Sequence, residues 1–261
     1  MIINPAAQLV SEVEDRIRSA HLISLFLDFD GTLVPIAPLP GVPQLDDETA
    51  GILKLLAHRD EIIATIISGR AIEDLYARIR LDRLIYAGNH GLEIFGRQLR
   101  FVEPVASAQR EQLDRLCDEL DLELTSISGA IVERKGLTGT VHYRLASQSG
   151  SAEIERIVFA GVARYGALFR VNPGAKIFDI VPRTNWHKGA AVKWINERLG
   201  VKDFLTVYLG DDISDEDAFS VLPDSITVKV GDAPVTSARY QLPGPVAVRE
   251  FLRWIAHGSR R

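Results

Sequence analysis

A short apolar segment that ends in two carboxylates constrains the fold of this chain more than any other feature. The segment from Ile23 to Asp28 is almost continuously apolar, and it leads into Asp28-Phe29-Asp30-Gly31-Thr32. Such a run is typical of a strand buried on both faces, as the strands of parallel sheets are when helices cover both sides. We therefore expect a buried β-strand whose carboxyl end presents Asp28 and Asp30.

Similar apolar runs recur along the chain, and amphipathic segments separate them. Further strands are predicted at 62–67, 84–87, 205–209 and 226–230. Helices are predicted after Asp46-Asp47-Glu48, after Ser68-Gly69-Arg70 and from Trp186 to Leu199. A loop after the first strand is predicted from four prolines, Pro35, Pro38, Pro40 and Pro43. Alternating buried strands and helices indicate an α/β fold with a Rossmann-like parallel sheet and right-handed crossovers.

The region 104–182 has a different pattern. Helices are predicted near 106–120 and 151–165, and pairs of short strands near Gly136 to Gly139 and around Asn172-Pro173-Gly174. Adjacent strands joined by glycine-containing turns indicate hairpins and an antiparallel sheet. We predict an α+β domain at 104–182, an antiparallel sheet plus helices, inserted into an α/β domain made of 1–103 and 183–261.

Composition and charge exclude several classes of function. The 261 residues carry a formal net charge of -5, and the one basic run is Arg260-Arg261, so nucleic-acid binding is not expected. No apolar run is long enough to cross a membrane as a helix. The first residues lack a secretion signal, and the single cysteine, Cys117, cannot form an internal disulfide, which together predict a cytoplasmic protein. A small anionic substrate is compatible with this composition.

Polar side chains follow three of the predicted strands, at the sheet edge where open α/β sheets bind their ligands. They are Asp28 with Asp30, Ser68, and the group Asp211, Asp212 and Asp215. So many carboxylates repel one another unless a cation lies between them, and Mg²⁺ prefers hard oxygen ligands of this kind. The alternative is that these acids cap helices and turns, and Ser214 with Asp217 has the spacing of a capping box.

The motifs and their order resemble those of the haloacid dehalogenase superfamily. They are Asp28-Phe29-Asp30-Gly31-Thr32, Ser68-Gly69-Arg70, Lys188, and Gly210-Asp211-Asp212 with Asp215. The resemblance implies a phosphatase that forms an aspartyl-phosphate, with Asp28 as the nucleophile and Asp30 as the general acid and base. It implies Mg²⁺ on Asp28, on the backbone carbonyl of Asp30 and on Asp211. Asp212 completes the implied metal set and, like Asp215, acts mainly through bound waters.

The remaining members of the catalytic set are Ser68 and Lys188. A carboxylate attacks phosphorus only when the negative charge of the phosphate is masked, and a metal, a hydroxyl and an ammonium group provide that masking. Taken alone, Lys188 at the start of a helix would be an ordinary solvated lysine. Its place among the other motifs makes a phosphate-neutralising role the better interpretation.

A longer resemblance, which covers most of the chain, is to trehalose-6-phosphate phosphatases. It is carried by Phe29-Asp30-Gly31-Thr32-Leu33-Val34-Pro35-Ile36, by Ile66-Ile67-Ser68-Gly69-Arg70 and above all by Ala87-Gly88-Asn89-His90-Gly91-Leu92-Glu93. It implies that Gly69, Arg70, Asn89 and His90 contact the substrate. Two alternatives stay open: Arg70 is a structural salt-bridge partner, and His90 only packs beside a turn.

The inserted region also fits this family, in which a cap domain that carries substrate specificity closes over the sugar. The resemblance places Glu133, Lys135, the run His142-Tyr143-Arg144 and Asp179 at positions that contact sugar hydroxyls. Glu133 and Lys135 share one face of a strand, so both can reach one cleft, although a surface charge pair is the alternative. Asp179 stands where the family usually has glutamate, and its shorter side chain reaches less far.

Several functions therefore compete. The preferred one is Mg²⁺-dependent hydrolysis of trehalose 6-phosphate to trehalose and phosphate, with a functional link to the synthase that makes this substrate. The alternatives are a related phosphatase for sucrose phosphate or a glycosyl-glycerate phosphate, a phosphomutase, and a catalytically silent sugar-phosphate sensor. An intact Asp28 and Asp30 argue against the sensor, because a sensor does not need the acid and base.

Overall fold

The computed structural model describes residues 4–37, 39, 41–200 and 203–258, so Pro38 and Pro40 of the predicted loop lie outside the described residues. The chain forms two compact units, one made of Met1–Phe101 with Trp186–Arg261 and the other of Val102–Asn185.

The first unit begins with alternating helices and strands. In chain order they are α1 (Pro5–Ser19), β1 (Leu22–Leu27), α2 (Asp47–Ala57), β2 (Ile62–Ile67), α3 (Ile72–Ile79), β3 (Ile85–Gly88), β4 (Glu93–Gly96) and β5 (Leu99–Val102). A single 3₁₀ turn, Asn89–Gly91, separates β3 from β4. The strand predicted at 62–67 is found with the same bounds, whereas the pair β4 and β5 was not predicted.

The second unit contains three helices and four strands. They are α4 (Pro104–Ala108), α5 (Arg110–Leu124), β6 (Ile131–Arg134), β7 (Gly139–His142), α6 (Gln148–Arg164), β8 (Phe169–Gly174) and β9 (Ile177–Pro182). The strands form an antiparallel sheet in the order β6-β7-β9-β8. Two details differ from prediction. A break at Gln109 divides the helix expected near 106–120 into α4 and α5. The segment Asn172-Pro173-Gly174, expected as a turn between two strands, belongs to β8, and the turn follows it.

The chain then returns to the first unit. The remaining elements are α7 (Lys188–Leu199), β10 (Phe204–Gly210), α8 (Ile213–Ser220), β11 (Ile226–Val230), β12 (Tyr240–Leu242) and α9 (Pro245–Gly258). The large sheet has the order β12-β11-β10-β1-β2-β3-β4-β5. Its strands from β12 to β3 are parallel, and β4 is antiparallel to β3. The predicted fold class, a parallel-sheet α/β unit with a separate antiparallel sheet and helices, is confirmed.

Burial on both faces explains the apolar sequences of the central strands. Leu25 and Leu27 of β1 pack into a core with α1, α2, α3 and α9, while Phe26 points to the opposite core, which includes residues of α7 and α8. Each such side chain contributes about 1.5–3 kcal/mol when it is fully buried. The resulting three-layer packing fixes β1 between β2 and β10, so their carboxyl ends meet at one edge of the sheet.

None of the described helices is long and apolar enough to cross a membrane.

Candidate active site

The strand β1 places Asp28 at the carboxyl edge of the large sheet. Asp28 follows Leu27 directly, and its backbone N–H donates to the carbonyl of Leu209 on the neighbouring β10 at 3.0 Å. Its side chain is buried. The parallel register that pairs Leu27 with Leu209 also brings the loop after β10 to this point. The carboxylate of Asp28 is thus a fixed, buried group beside the acids of that loop.

Lys188 joins two buried carboxylates. It is the first residue of α7 and is only 2% exposed, and its Nζ donates to Asp28 Oδ1 at 2.8 Å and to Asp215 Oδ1 at 2.7 Å. Burial by itself lowers the pKa of Lys188, but the charges of Asp215 and Asp28 outweigh it and raise that pKa above its ordinary value. Lys188 therefore stays an ammonium ion at physiological pH. This is the charge that the predicted role requires.

Asp215 is the most enclosed acid of the site, with no exposed surface. Its Oδ1 accepts a second hydrogen bond, from the hydroxyl of Tyr208 at 2.6 Å, and its Oδ2 accepts the backbone N–H of Asp212 at 2.9 Å. Burial and the charge of Asp215 raise the pKa of Tyr208 well above its usual value, so the phenol remains a proton donor. Three donors thus fix the carboxylate of Asp215 from three elements.

The start of α8 corrects one prediction. The capping box consists of Asp212 and Asp215, and the predicted pair of Ser214 and Asp217 is wrong. The reason is that α8 begins at Ile213, with only Asp211 and Asp212 between it and β10, and this makes Asp212 the N-cap. Ser214 instead donates its hydroxyl to Asp212 Oδ2 at 2.9 Å.

Three acids come close enough to hold one metal ion. Asp28, Asp211 and Asp215 each offer an oxygen, and these oxygens lie within 4.8 Å of one another. Burial, followed by the charge of Asp215, raises the pKa of Asp211 to about 6. Burial also raises the pKa of Asp28 well above its ordinary value, against the influence of Lys188. Bringing these charges together is costly, and hard oxygen ligands suit a divalent cation such as Mg²⁺.

This triad overlaps the predicted metal set without reproducing it. It shares Asp28 and Asp211 with that set and adds Asp215, while Asp30 and Asp212 make other contacts. Burial opposes ionisation of Asp212, but Lys188 and the backbone N–H of Ile213 lower its pKa below the ordinary value. Asp212 is therefore negatively charged beside the triad, although it does not belong to it.

The neighbouring loops pack closely against the side chain of Asp211. Gly31 has a φ of +83°, and a Cβ atom there would lie 2.0 Å from Asp211 Oδ2, so only glycine fits at this position. Thr32 donates its hydroxyl to Asp211 Oδ1 at 3.2 Å, and the buried Lys229 donates to the Asp211 backbone carbonyl. Together with Tyr208, Lys229 was missed by sequence reasoning. A lysine inside the buried run of β11 was the available signal.

Arg70 donates two parallel hydrogen bonds to the carboxylate of Asp30. Its Nε donates to Asp30 Oδ2 at 2.5 Å and its Nη2 to Asp30 Oδ1 at 2.7 Å. The same guanidinium donates through Nη1 to Asp74 Oδ2 at 2.8 Å. Its side chain is 8% exposed and lies over the ring of Phe29. The structure thus gives Arg70 the salt-bridge contacts that the sequence left as one of two alternatives.

The 3₁₀ turn after β3 lies against the segment Ser68-Gly69-Arg70. The backbone N–H of Asn89 donates to the Arg70 carbonyl at 2.7 Å, and that of His90 donates to the Ser68 carbonyl at 2.8 Å. Both Asn89 and His90 have positive φ angles, of 50° and 59°, which non-glycine residues seldom adopt. A Cβ atom on Gly69 would lie 2.6 Å from His90 Cε1. The two segments therefore form one packed and strained loop pair beside Asp28.

The predicted residues of the second unit form their own cluster. Lys135 Nζ lies 3.8 Å from Glu133 Oε2 and 3.9 Å from Asp179 Oδ1. Arg144 donates to the carbonyl of Ala175 at 2.7 Å, in the turn between β8 and β9. The structure therefore brings Glu133, Lys135 and Asp179 together within the second unit.

Comparison with known proteins identifies a family and several relatives. A family model described as trehalose-phosphatase matches residues 26–243. The chain is 31% identical to probable trehalose-phosphate phosphatase 2 of Oryza sativa subsp. japonica, over 98% of this chain and 74% of that protein. It is 34% identical to an uncharacterized glycosyl hydrolase of Mycobacterium tuberculosis, but it spans only 19% of that longer protein, against 96% of its own length.

The fold of this chain also matches that of a solved structure. A trehalose-6-phosphate phosphatase related protein has a TM-score of 0.79 with this chain at 25% sequence identity. The match covers 89% of this chain and 96% of that one, so both units have counterparts in a single known structure.

Proposed function

The chain belongs to the trehalose-phosphatase family, and we propose that it hydrolyses trehalose 6-phosphate to trehalose and phosphate through an aspartyl-phosphate on Asp28. The observation that carries the chemical half of this proposal is the buried arrangement of Asp28, Lys188 and Asp215 at the edge of the sheet. A carboxylate held against an ammonium ion, beside further acids, is suited to covalent attack on a phosphate monoester.

The nucleophile is Asp28. One of its carboxylate oxygens attacks phosphorus, and the bond between phosphorus and the sugar oxygen breaks, which leaves the phosphoryl group on Asp28. Lys188 holds the attacking carboxylate in place and offers positive charge to the phosphate oxygens, and the hydroxyl and backbone of Ser68 orient them. Water then attacks the phosphorus atom, and Asp28 leaves as a free carboxylate.

The proton carrier is Asp30. It donates a proton to the departing sugar oxygen and later takes one from the attacking water. Arg70 engages both carboxylate oxygens of Asp30, so Asp30 can act only after Arg70 has withdrawn from at least one of them. We assign the withdrawn guanidinium to the substrate phosphate, because arginine binds phosphate with the same fork geometry as it binds carboxylate. Asp74 keeps Arg70 within reach.

The metal of this site is proposed to be Mg²⁺, held by Asp28 and Asp211. The close carboxylate oxygens of the triad fit such an ion. Asp215 already accepts three hydrogen bonds, so it orients Lys188 and stays outside direct coordination. When bound, the ion masks the negative charge of the phosphate. Asp30 through its backbone carbonyl, and Asp212 through water, remain proposed contributors.

The specificity of the enzyme is assigned to the second unit. We propose that the inserted domain predicted at 104–182 recognises the sugar through Glu133, Lys135, Arg144 and Asp179. Buried groups that pair with sugar hydroxyls reject analogues that leave them unpaired. Gly69, Asn89 and His90 remain the proposed substrate contacts of the first unit. The cellular context that we propose is cytoplasmic, downstream of a trehalose-6-phosphate synthase.

The test is a substrate panel. Phosphate release with Mg²⁺ is measured from trehalose 6-phosphate, glucose 6-phosphate and sucrose phosphate, with the wild type and with Asp28→Asn. We expect turnover of trehalose 6-phosphate alone and loss of several orders of magnitude in the variant. Turnover of another sugar phosphate instead would keep the chemistry and reject the substrate. No release from any substrate would favour the sugar-phosphate sensor.

A further inference from the structure

One face of the second sheet carries a row of polar residues, one from each strand. The strand register pairs Glu133 of β6 with Thr140 of β7, Thr140 with Asp179 of β9, and Asp179 with Asn172 of β8. Residues that are directly opposite in antiparallel strands point to the same face of the sheet. The four side chains therefore form a continuous line across the sheet.

This row lies on the face opposite to the helices. The alternate residues Val141, Phe178 and Ile180 belong to the apolar core together with residues of α5 and α6. Arg134, next to Glu133 in β6, points to the helical side and pairs with Asp118 and Asp121 of α5. Packing of the domain core thus accounts for one face of the sheet and leaves the polar row without a role in that core.

The central strand β7 supplies two donors to this row. Thr140, which has no exposed surface, donates its hydroxyl to Asp179 Oδ1 at 2.5 Å. His142 Nε2 lies 2.7 Å from Glu133 Oε2, at hydrogen-bond distance. Thr140 and His142 are two residues apart, so both point to the same face as the carboxylates that they contact.

The contacts of Lys135 are looser. Its Nζ is 3.8 Å from the Glu133 carboxylate and 3.9 Å from that of Asp179, distances of ion pairs and not of hydrogen bonds. Thr140 and His142 of β7 each give one of these carboxylates a contact of 2.5 or 2.7 Å, which is much shorter than these two ion pairs.

We propose that Thr140 and His142 are positioning residues, which hold Asp179 and Glu133 in the orientation that binds the sugar hydroxyls of the substrate. This inference rests on the proposed function, since it needs a sugar phosphate as the substrate. Two carboxylates that are ordered before binding lose less conformational entropy when the sugar arrives. Sugar recognition then depends on β7 even where β7 itself does not touch the sugar.

The experiment compares two substrates and two pairs of variants. Thr140→Val removes the hydroxyl at nearly constant volume, and Thr140→Ser restores it. His142→Phe removes the ring nitrogens, and His142→Gln restores a donor. For each variant kcat and KM are measured with trehalose 6-phosphate and with p-nitrophenyl phosphate, which has no sugar. Thr125→Val is the control, because Thr125 donates its hydroxyl to the backbone of α5 on the helical side.

We expect Thr140→Val and His142→Phe to lower kcat/KM for trehalose 6-phosphate about tenfold to a hundredfold, mainly through KM, as loss of a hydrogen bond to a charged group implies. The loss on p-nitrophenyl phosphate should be smaller by at least about tenfold. Thr140→Ser and His142→Gln should recover most of the loss, and Thr125→Val should behave as the wild type.

Equal losses on both substrates, together with a lower Tm, would overturn the proposal and leave only a structural role. Unchanged kinetics in Thr140→Val and His142→Phe would overturn it as well. Failure of the proposed function is recognised separately, in the wild type: if it hydrolyses p-nitrophenyl phosphate and not trehalose 6-phosphate, the substrate assignment falls and this inference falls with it.

Discussion

The two polar clusters of this protein are built on different principles. In the first unit, Lys188 makes direct hydrogen bonds of 2.8 and 2.7 Å to Asp28 and Asp215, and all three residues are buried. In the second unit, Lys135 forms ion pairs of 3.8 and 3.9 Å with its two acids, and Thr140 and His142 make shorter contacts with the same acids. One cluster is held together by charge, and the other is pre-oriented by its strand neighbours.

The difference corresponds to what each cluster is proposed to do. Covalent chemistry at Asp28 needs a fixed nucleophile and concentrated positive charge, because the substrate group there is itself charged. Recognition of sugar hydroxyls needs fixed acceptors of modest strength, because the partner is neutral. We therefore expect substitutions in the first cluster to lower activity on every phosphate ester. Substitutions in the second cluster should lower activity mainly on substrates that carry the sugar.

The largest effect is expected from Lys188→Met. The change leaves Asp28 and Asp215 facing each other without the ammonium ion, which destabilises a buried charge network by about 3–5 kcal/mol. We expect loss of at least about a thousandfold in kcat on any substrate and a clear fall in Tm. Lys193→Met, at an exposed position of the same helix, is the control and should change neither quantity. A Lys188 variant of normal activity would remove the distinction between the clusters.

A smaller and selective effect is expected from Lys135→Met. The ion pairs of Lys135 with Glu133 and Asp179 are 3.8 and 3.9 Å long, and pairs of this length contribute little to stability. We expect KM for trehalose 6-phosphate to rise about tenfold or more and the rate on p-nitrophenyl phosphate to fall much less. Arg156→Met, which removes an exposed pair on α6, serves as the matched control. Similar losses on both substrates would contradict the assignment of this cluster to sugar recognition.

Tyr208→Phe tests whether activity depends on the hydrogen bond with which Tyr208 orients Asp215. The change removes one neutral donor from Asp215 and leaves Lys188 in place. Loss of one such hydrogen bond costs about 1 kcal/mol, so we expect roughly a fivefold fall in kcat and a small fall in Tm. Tyr76→Phe removes a comparable hydrogen bond, to Asp82 at the surface, and should leave kcat unchanged. If both variants behave alike, Tyr208 has no special part in orienting Asp215.

The smallest effect concerns pH and metal. Burial and neighbouring acids raise the pKa of Asp211 from 3.8 to about 6 and raise that of Asp28 as well. The folded protein keeps these protons to a higher pH than the unfolded chain does. Without metal, these groups therefore make the free energy of unfolding fall as the pH rises from about 4 through 6.

Mg²⁺ should reverse this loss, because it replaces the protons at the ionised carboxylates. Thermal unfolding is measured with Mg²⁺ and with a chelator, at a pH well below and at one well above the pKa of Asp211. We expect Mg²⁺ to raise Tm by several degrees at the higher pH and hardly at all at the lower one. An equal rise at both values would argue against binding at these acids.

The sequence was sufficient to predict the parallel sheet and the acids at its edge. A short apolar run such as Ile62 to Ile67 indicates a buried strand. In a parallel sheet, polar residues directly after such strands lie at the same edge of the sheet. The family predicted from these motifs was also confirmed. The signals were strong because each combined an apolar run with an abrupt change to charge.

Functional polar side chains inside strands were not identified from the sequence. Tyr208 stands in an apolar run and Thr140 follows a glycine-containing turn, and in both places a hydroxyl is easily taken for an ordinary structural group. Their roles become visible only when the register places them beside Asp215 and Asp179. The capping box was misplaced for a related reason, since the spacing of Ser214 and Asp217 does not reveal that the helix already begins at Ile213.

Trapping the phosphorylated enzyme shows whether Asp28 carries the phosphoryl group. The enzyme is mixed with trehalose 6-phosphate and Mg²⁺, quenched in acid within the first turnovers, digested and analysed by mass spectrometry. We expect one added phosphoryl group on the peptide that contains Asp28, which disappears when trehalose 6-phosphate is exhausted and is absent in Asp28→Asn. Rapid phosphate release with that peptide never modified, or with the phosphoryl group on another residue, would contradict it.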